Sequence, residues 1–121
     1  MANPNIVNVS DIRGKTTAGT LTTANANLLS NSAGSGKVFK INTIIIANVD
    51  GTNAADVIIG FYDSSAAANY KLASTISVPA DSTLVVISKD TALYLEEGDS
   101  IQGNASASND LDYVISYEEI S

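Results

Sequence analysis

The stretch Ile41-Asn42-Thr43-Ile44-Ile45-Ile46-Ala47-Asn48, followed after Val49 by Asp50-Gly51, decides how this chain is read. It is long enough for a buried strand, its β-branched residues favour extended backbone, and Asp-Gly supplies the turn chemistry that ends it. The same pattern recurs downstream. Ala55 to Tyr62 runs into Asp63-Ser64-Ser65, whose short oxygen side chains bond nearby backbone groups in turns, and Tyr70 to Val78 follows. Pro79-Ala80-Asp81-Ser82 then interrupts the ladder, because proline lacks a backbone donor.

Thr83 to Ser88 and Ala92 to Leu95 read as two more short strands before the turn Glu96-Glu97-Gly98-Asp99-Ser100. Ser100 to Asn104 begins another strand, in which Gly103 marks either a bulge or the close approach of a second backbone. At the end of the chain Leu111, Tyr113, Ile115 and Tyr117 share one face while Asp112, Val114, Ser116 and Glu118 share the other. One side is expected to be core and the other mostly wet. About eight short strands with Gly, Asp, Asn and Pro punctuation predict an all-β fold, an antiparallel β-sandwich of jelly-roll or immunoglobulin-like type. Strand order along the chain does not choose between the two.

The composition changes near Gly36. Residues 1–36 are rich in Thr, Asn, Ala and Gly, with Gly14 to Thr20 and Leu28 to Gly36 the most loop-like parts, and few side chains there can anchor a core. Ile6 to Ile12 is the expected strand of this region, since Val7 and Val9 alternate with polar neighbours. Residues 1–36 are therefore read as an extended N-terminal arm with one or two short strands, ordered by what it lies against, and residues 37–121 as the sandwich domain.

Charge and composition narrow the function classes. The 121 residues carry a formal net charge of −7 with only six Lys and Arg, which disfavours the clustered cations needed to grip nucleic acid. That balance also repels anionic membrane surfaces, and no window has the apolar length to cross a bilayer. Hydrophobic residues make up 45% of the chain, with five Tyr, two Phe and no Trp, so Ile, Val, Leu and Ala must fill the core. There is no Cys, hence no disulfide and no thiolate metal site. Met1-Ala2-Asn3-Pro4-Asn5 has neither a basic segment nor an apolar one of the kind that directs export, so no secretion is expected.

Candidate chemistry is sparse. Gly34-Ser35-Gly36-Lys37 resembles a phosphate-binding loop, but Asn31 stands where that motif needs Gly and Val38 where it needs Ser or Thr. A flexible loop entering a strand is the better reading. Asn109, Asp110 and Asp112, or Asp50, Asn53 and Asp56, offer oxygens to a hard cation without the spacing of a calcium loop. The pairs Glu96-Glu97 and Glu118-Glu119 occupy adjacent positions that point to opposite faces of a strand, so neither converges on one substrate. With no His or Cys to act as base or nucleophile, no enzymatic activity, catalytic residue, metal or cofactor is expected. Tyr62, Tyr70, Tyr94, Tyr113 and Tyr117 alternate mostly with aliphatic residues, which favours core and interface roles over a stacking platform for sugars.

Four segments together resemble the small β-sandwich virion proteins of tailed bacteriophages, including those of marine and cyanobacterial phages. They are Lys37 to Asn48, Val78-Pro79-Ala80-Asp81-Ser82-Thr83-Leu84-Val85-Val86, Leu93-Tyr94-Leu95-Glu96-Glu97-Gly98-Asp99-Ser100-Ile101 and Asp112 to Ile120, in the last two-thirds of the chain. The resemblance implies a structural protein of the virion, most specifically a capsid decoration or cement protein on the outer head surface. Its partners would be the major capsid protein and its own copies in a homotrimer, with no nucleic acid, membrane or small-molecule substrate. On that view Ile6, Val7, Val9, Ile12 and Leu21 of the arm meet the capsid, and Tyr94, Tyr113 and Tyr117 meet neighbouring copies. Deleting residues 1–35 should then leave a folded sandwich that no longer binds. A neck, tail or fibre-associated protein is the alternative within the same class, and a carbohydrate- or receptor-binding module is the alternative outside it.

Overall fold

The computed structural model describes residues 3–121, and every structural statement concerns those residues. Nine strands form: β1 (Ile12–Thr20), β2 (Ala26–Ser30), β3 (Val38–Asn48), β4 (Ala55–Asp63), β5 (Ala68–Val78), β6 (Thr83–Ile87), β7 (Leu93–Leu95), β8 (Ser100–Ala105) and β9 (Leu111–Ile120). A single 3₁₀ turn at Lys89–Thr91 separates β6 from β7.

The pairing is that of one long hairpin folded at the β4–β5 turn. From that turn outward, β4 pairs with β5, β3 with β6 and then β7, β2 with β8, and β1 with β9, all antiparallel. Rolling this hairpin adds two further pairings, β3 with β9 and β4 with β8. Two sheets result, β1-β9-β3-β6 with β7 also on β3, and β2-β8-β4-β5. Counting β6 and β7 as one interrupted strand, this is the eight-strand order of a jelly roll. The immunoglobulin-like alternative is set aside because there the first two strands share a sheet, whereas β1 and β2 lie in different sheets.

The core lies between the sheets and is almost wholly aliphatic. Ile41, Ile44 and Ile46 of β3 face Val57 and Ile59 of β4, with Leu95, Ile101, Leu111 and Ile115 completing the interior, all fully buried. Burying each such side chain contributes about 1.5–3 kcal/mol. A bulge between Ile41 and Thr43 shifts the inward phase of β3, which lets an 11-residue strand keep apolar side chains inward along a twisted sheet. Gly103 of β8 lies close to another strand, as a Cβ there would fall 2.7 Å from Ile59 Cδ1 and 3.1 Å from the Ile58 carbonyl oxygen. Close approach, not a bulge in β8, accounts for this glycine.

Residues 12–30 correct the expectation of an extended arm. The Thr- and Gly-rich segment read as a loop is β1, paired with β9 along its whole length, and β2 completes the other sheet. Both are edge strands, stabilised by backbone pairing that composition does not reveal. Leu21, between them, is only 1% exposed and belongs to the core. Ile6 to Asn8, expected as strand, instead form a turn: the Val7 N–H donates to Asn5 Oδ1 at 3.0 Å and the Asn8 N–H to the Asn5 carbonyl at 3.0 Å. A local asparagine turn outcompetes β propensity there.

The segment before β1 lies on the outside of the β1-β9-β3-β6 sheet. Ser10 and Asp11 donate backbone hydrogen bonds to the Ser121 carbonyl, and Asn3, Pro4 and Ile6 line a shallow groove of about 280 Å³ with Val38, Tyr94 and Glu96. Removing residues 1–9 should leave both sheets folded, whereas removing residues 1–35 should abolish cooperative unfolding, because it deletes β1, β2 and Leu21. Circular dichroism melts of the two truncations check this outcome.

Candidate functional site

Two outward-facing surfaces and one knot of loops hold the polar and exposed chemistry of the molecule. The knot closes the end of the sandwich where β3 begins. Asn31, 1% exposed, donates through Nδ2 to the Lys37 carbonyl at 2.9 Å and the Leu95 carbonyl at 3.0 Å, while its Oδ1 accepts the Ser35 hydroxyl at 2.6 Å. Asp99, also buried, accepts the backbone N–H of Ser64 at 3.0 Å and of Glu96 at 3.1 Å. Gly98 at φ 88° completes the turn in a conformation that side chains resist.

The glycine loop 34–37 is held by the protein's own carboxylates. Gly36, at φ 70°, donates its N–H to Glu97 Oε2 at 2.8 Å, and Lys37 Nζ lies 2.8 Å from Glu119. The donor and cation that a phosphate would require are engaged, in keeping with the reading of this segment as a loop. Glu97 is buried and Glu96 exposed, but both follow β7 in the turn and neither lies on a strand as expected. Of the acidic candidates, Asp50 accepts the Thr52 N–H, which holds its carboxyl below the usual range, and Asp112 of β9 accepts the Thr20 hydroxyl. Among the described residues, no three His, Cys, Asp or Glu side chains are grouped to hold a metal ion.

Glu119 carries the densest ion pairing. Lys37 at 2.8 Å and Lys15 at 3.1 Å bond its side chain, which is 11% exposed, and these hydrogen bonds hold its pKa below the ordinary 4.5. A carboxyl whose folded pKa is depressed stabilises the fold above its ordinary pKa, and that contribution is lost as pH falls through the folded value. It is worth about 1 kcal/mol at neutral pH, given that both lysines are partly solvated.

The outer face of the β1-β9-β3-β6 sheet carries an apolar row. Ala18 on β1 registers with Val114 on β9, Val114 with Ile45 on β3, and Ile45 with Val85 on β6. Val85 is 55% exposed and Val114 38% exposed. Hydroxyl-bearing Thr16, Ser116 and Thr43 form the neighbouring row. The last strand was expected to turn a mostly wet face outward; Val114 makes that face partly apolar. Alternation within Thr83 to Ile87 and Leu111 to Glu118 places these residues outward, but only the register aligns them across four strands.

Of the residues expected to meet a capsid, Ile6, Val7 and Ile12 are exposed, Val9 is half-buried, and Leu21 is withdrawn into the core. Of the expected interface tyrosines, Tyr94 is 43% exposed, Tyr113 is half-buried and Tyr117 is buried. Tyr117 packs on Phe39 with ring centroids 5.1 Å apart, and the Tyr113 ring lies across Gly19, where a Cβ would fall 2.7 Å from its hydroxyl oxygen. Leu21, Tyr113 and Tyr117 thus serve the fold, because inward alternation and edge closure claim them.

The outer face of the other sheet is a connected array of amides centred on Gln102. No protein-family profile matches the chain, and no curated protein matches it.

Two outcomes test the knot and the ion pairs. Asn31→Ala leaves two carbonyls and the Ser35 hydroxyl without their partner, and should lower stability by about 2–4 kcal/mol in urea melts. Glu119→Gln should cost about 1 kcal/mol at pH 7, with the gap from the parent protein closing as pH falls well below 4.5.

Proposed function

We propose that this protein is a structural component of a tailed-phage virion, and specifically a decoration protein that adheres to the outer surface of the head. The observation that carries the reading is the apolar row Ala18–Val114–Ile45–Val85, itself uncharged, on a chain whose formal net charge is −7. An apolar strip on a rigid sheet is the chemistry of a protein contact, since it gains by leaving water and needs no ion pairing. The jelly roll recurs among viral shell domains, which supports the reading by analogy of fold.

Adhesion would work by repetition. Each copy, in a homotrimer, would set its apolar row and the exposed Ile6, Val7 and Ile12 against neighbouring major capsid subunits. Weak contacts repeated over a lattice then hold the shell against internal pressure. Because β1 and β2 are built into the sheets, the contact would be a sheet face with a short N-terminal margin, not a long arm.

Cryo-electron microscopy of purified particles tests the proposal. Density for the sandwich across the head lattice is the expected result; density confined to the portal, tail or fibres would reassign it to those parts, and absence from the particle would overturn the virion reading. In a head-binding assay, Ile45→Asp and Val85→Asp should each weaken association by about 10-fold or more while preserving the melting transition.

A further inference from the structure

The outer face of the β2-β8-β4-β5 sheet differs in kind from the apolar face. Gln102 on β8 is its centre: Oε1 accepts Asn69 Nδ2 at 2.7 Å and Asn25 Nδ2 at 3.1 Å, and Nε2 donates to Asn27 Oδ1 at 2.9 Å. Lys71 Nζ donates to Asn69 Oδ1 at 3.1 Å. The array therefore runs from beside β2, across β8 and over β4, to β5. Its passage over β4 depends on Gly60, because a Cβ there would collide with the Asn69 amide. Tyr62, half-buried, registers with Asn69 on one side and Ser100 on the other, and so borders the array.

We infer that this face is a binding site for a neutral oligosaccharide, with Asn25, Asn27, Gln102, Asn69 and Lys71 as its polar floor and Tyr62 as its apolar wall. The chemistry follows from what the internal bonds leave over. With Asn27 Oδ1 committed to Gln102, the Asn27 Nδ2 group keeps donors for a ligand; with Asn25 Nδ2 committed, its Oδ1 keeps acceptor capacity; and Lys71 keeps further donors. Fixed donors and acceptors side by side match adjacent sugar hydroxyls, each of which both donates and accepts. A tyrosine ring beside them offers an apolar body for the C–H face of a pyranose and a hydroxyl at its tip. The mutual hydrogen bonds hold the amides in place before any ligand arrives, which reduces the ordering cost of binding.

Neutral sugar is favoured over acidic sugar by charge. Lys71 is the only cation in the array, and the chain as a whole carries −7, which repels polyanions. The inference goes beyond the decoration reading and does not rest on it, since it concerns the opposite face and survives if the protein is found elsewhere in a particle or in none.

The test uses the full chain on an array of neutral cello-, xylo-, manno-, galacto- and chito-oligosaccharides beside sulfated and uronic-acid glycans, followed by NMR titration of the side-chain amides. Binding to at least one neutral series is expected, with the Asn27, Asn69 and Gln102 amide signals shifting. Asn27→Ala, at an exposed edge position, should weaken binding by about 10-fold with an unchanged melt, and Gln102→Ala by at least as much. Val85→Ser on the opposite face should bind as the parent protein does. The inference is overturned if no neutral sugar at about 10 mM shifts those signals, if acidic glycans bind in preference, or if both amide variants bind unchanged.

Discussion

Two buried asparagines, one at each end of β3, hold the loops on which the rolled hairpin depends. Asn31 ties the approach to β3 to the end of β7, and Asn48 donates through Nδ2 to the carbonyls of Asn53 and Val78, tying the exit from β3 to the end of β5. In each case one amide satisfies two carbonyls, one from a loop and one from the end of a strand. A carbonyl left without a partner in such a place costs a few kcal/mol, so each amide both closes its end and excludes other loop arrangements. The interior itself is aliphatic and poorly directional. Ile, Val and Leu hold the sheets together without specifying how the ends close, and the polar clamps supply that specification.

The strand order has a second consequence. Rolling the hairpin places β9 between β1 and β3, and β8 between β2 and β4, so the last strands of the chain sit inside the sheets while the first two lie at the edges. The early, Thr- and Asn-rich strands need little burial because β8 and β9 supply one full row of backbone partners. The Gly19 backbone beneath Tyr113 and the Lys15–Glu119 pair bind β1 further to its neighbour. Polar composition near the beginning of the chain is thus compatible with a fully integrated part of the fold.

The two outer faces have separate chemistry because each sheet exposes one side only. One carries a row of aliphatic side chains flanked by hydroxyls, the other an amide array crossed by a single lysine. A protein contact would gain most from the first and a hydroxyl-rich ligand from the second, and the two faces do not overlap.

Alternation and turn chemistry determined, from sequence alone, the all-β class, the strands from Val38 onward and most of the core, since a period of two and Gly, Asp, Asn or Pro at the breaks are local properties. They also flagged Gly103 and the Glu96 to Ser100 turn. Tertiary structure alone decided that Gly14 to Thr20 is a strand, that Leu21 is core, and that the order is a jelly roll, because edge pairing and sheet order join residues about a hundred positions apart, as Lys15 and Tyr117 are in register. It alone assembled both outer faces, for Ala18, Ile45, Val85 and Val114, like Asn27, Asn69 and Gln102, become neighbours only through cross-strand register, which no local pattern in the chain encodes.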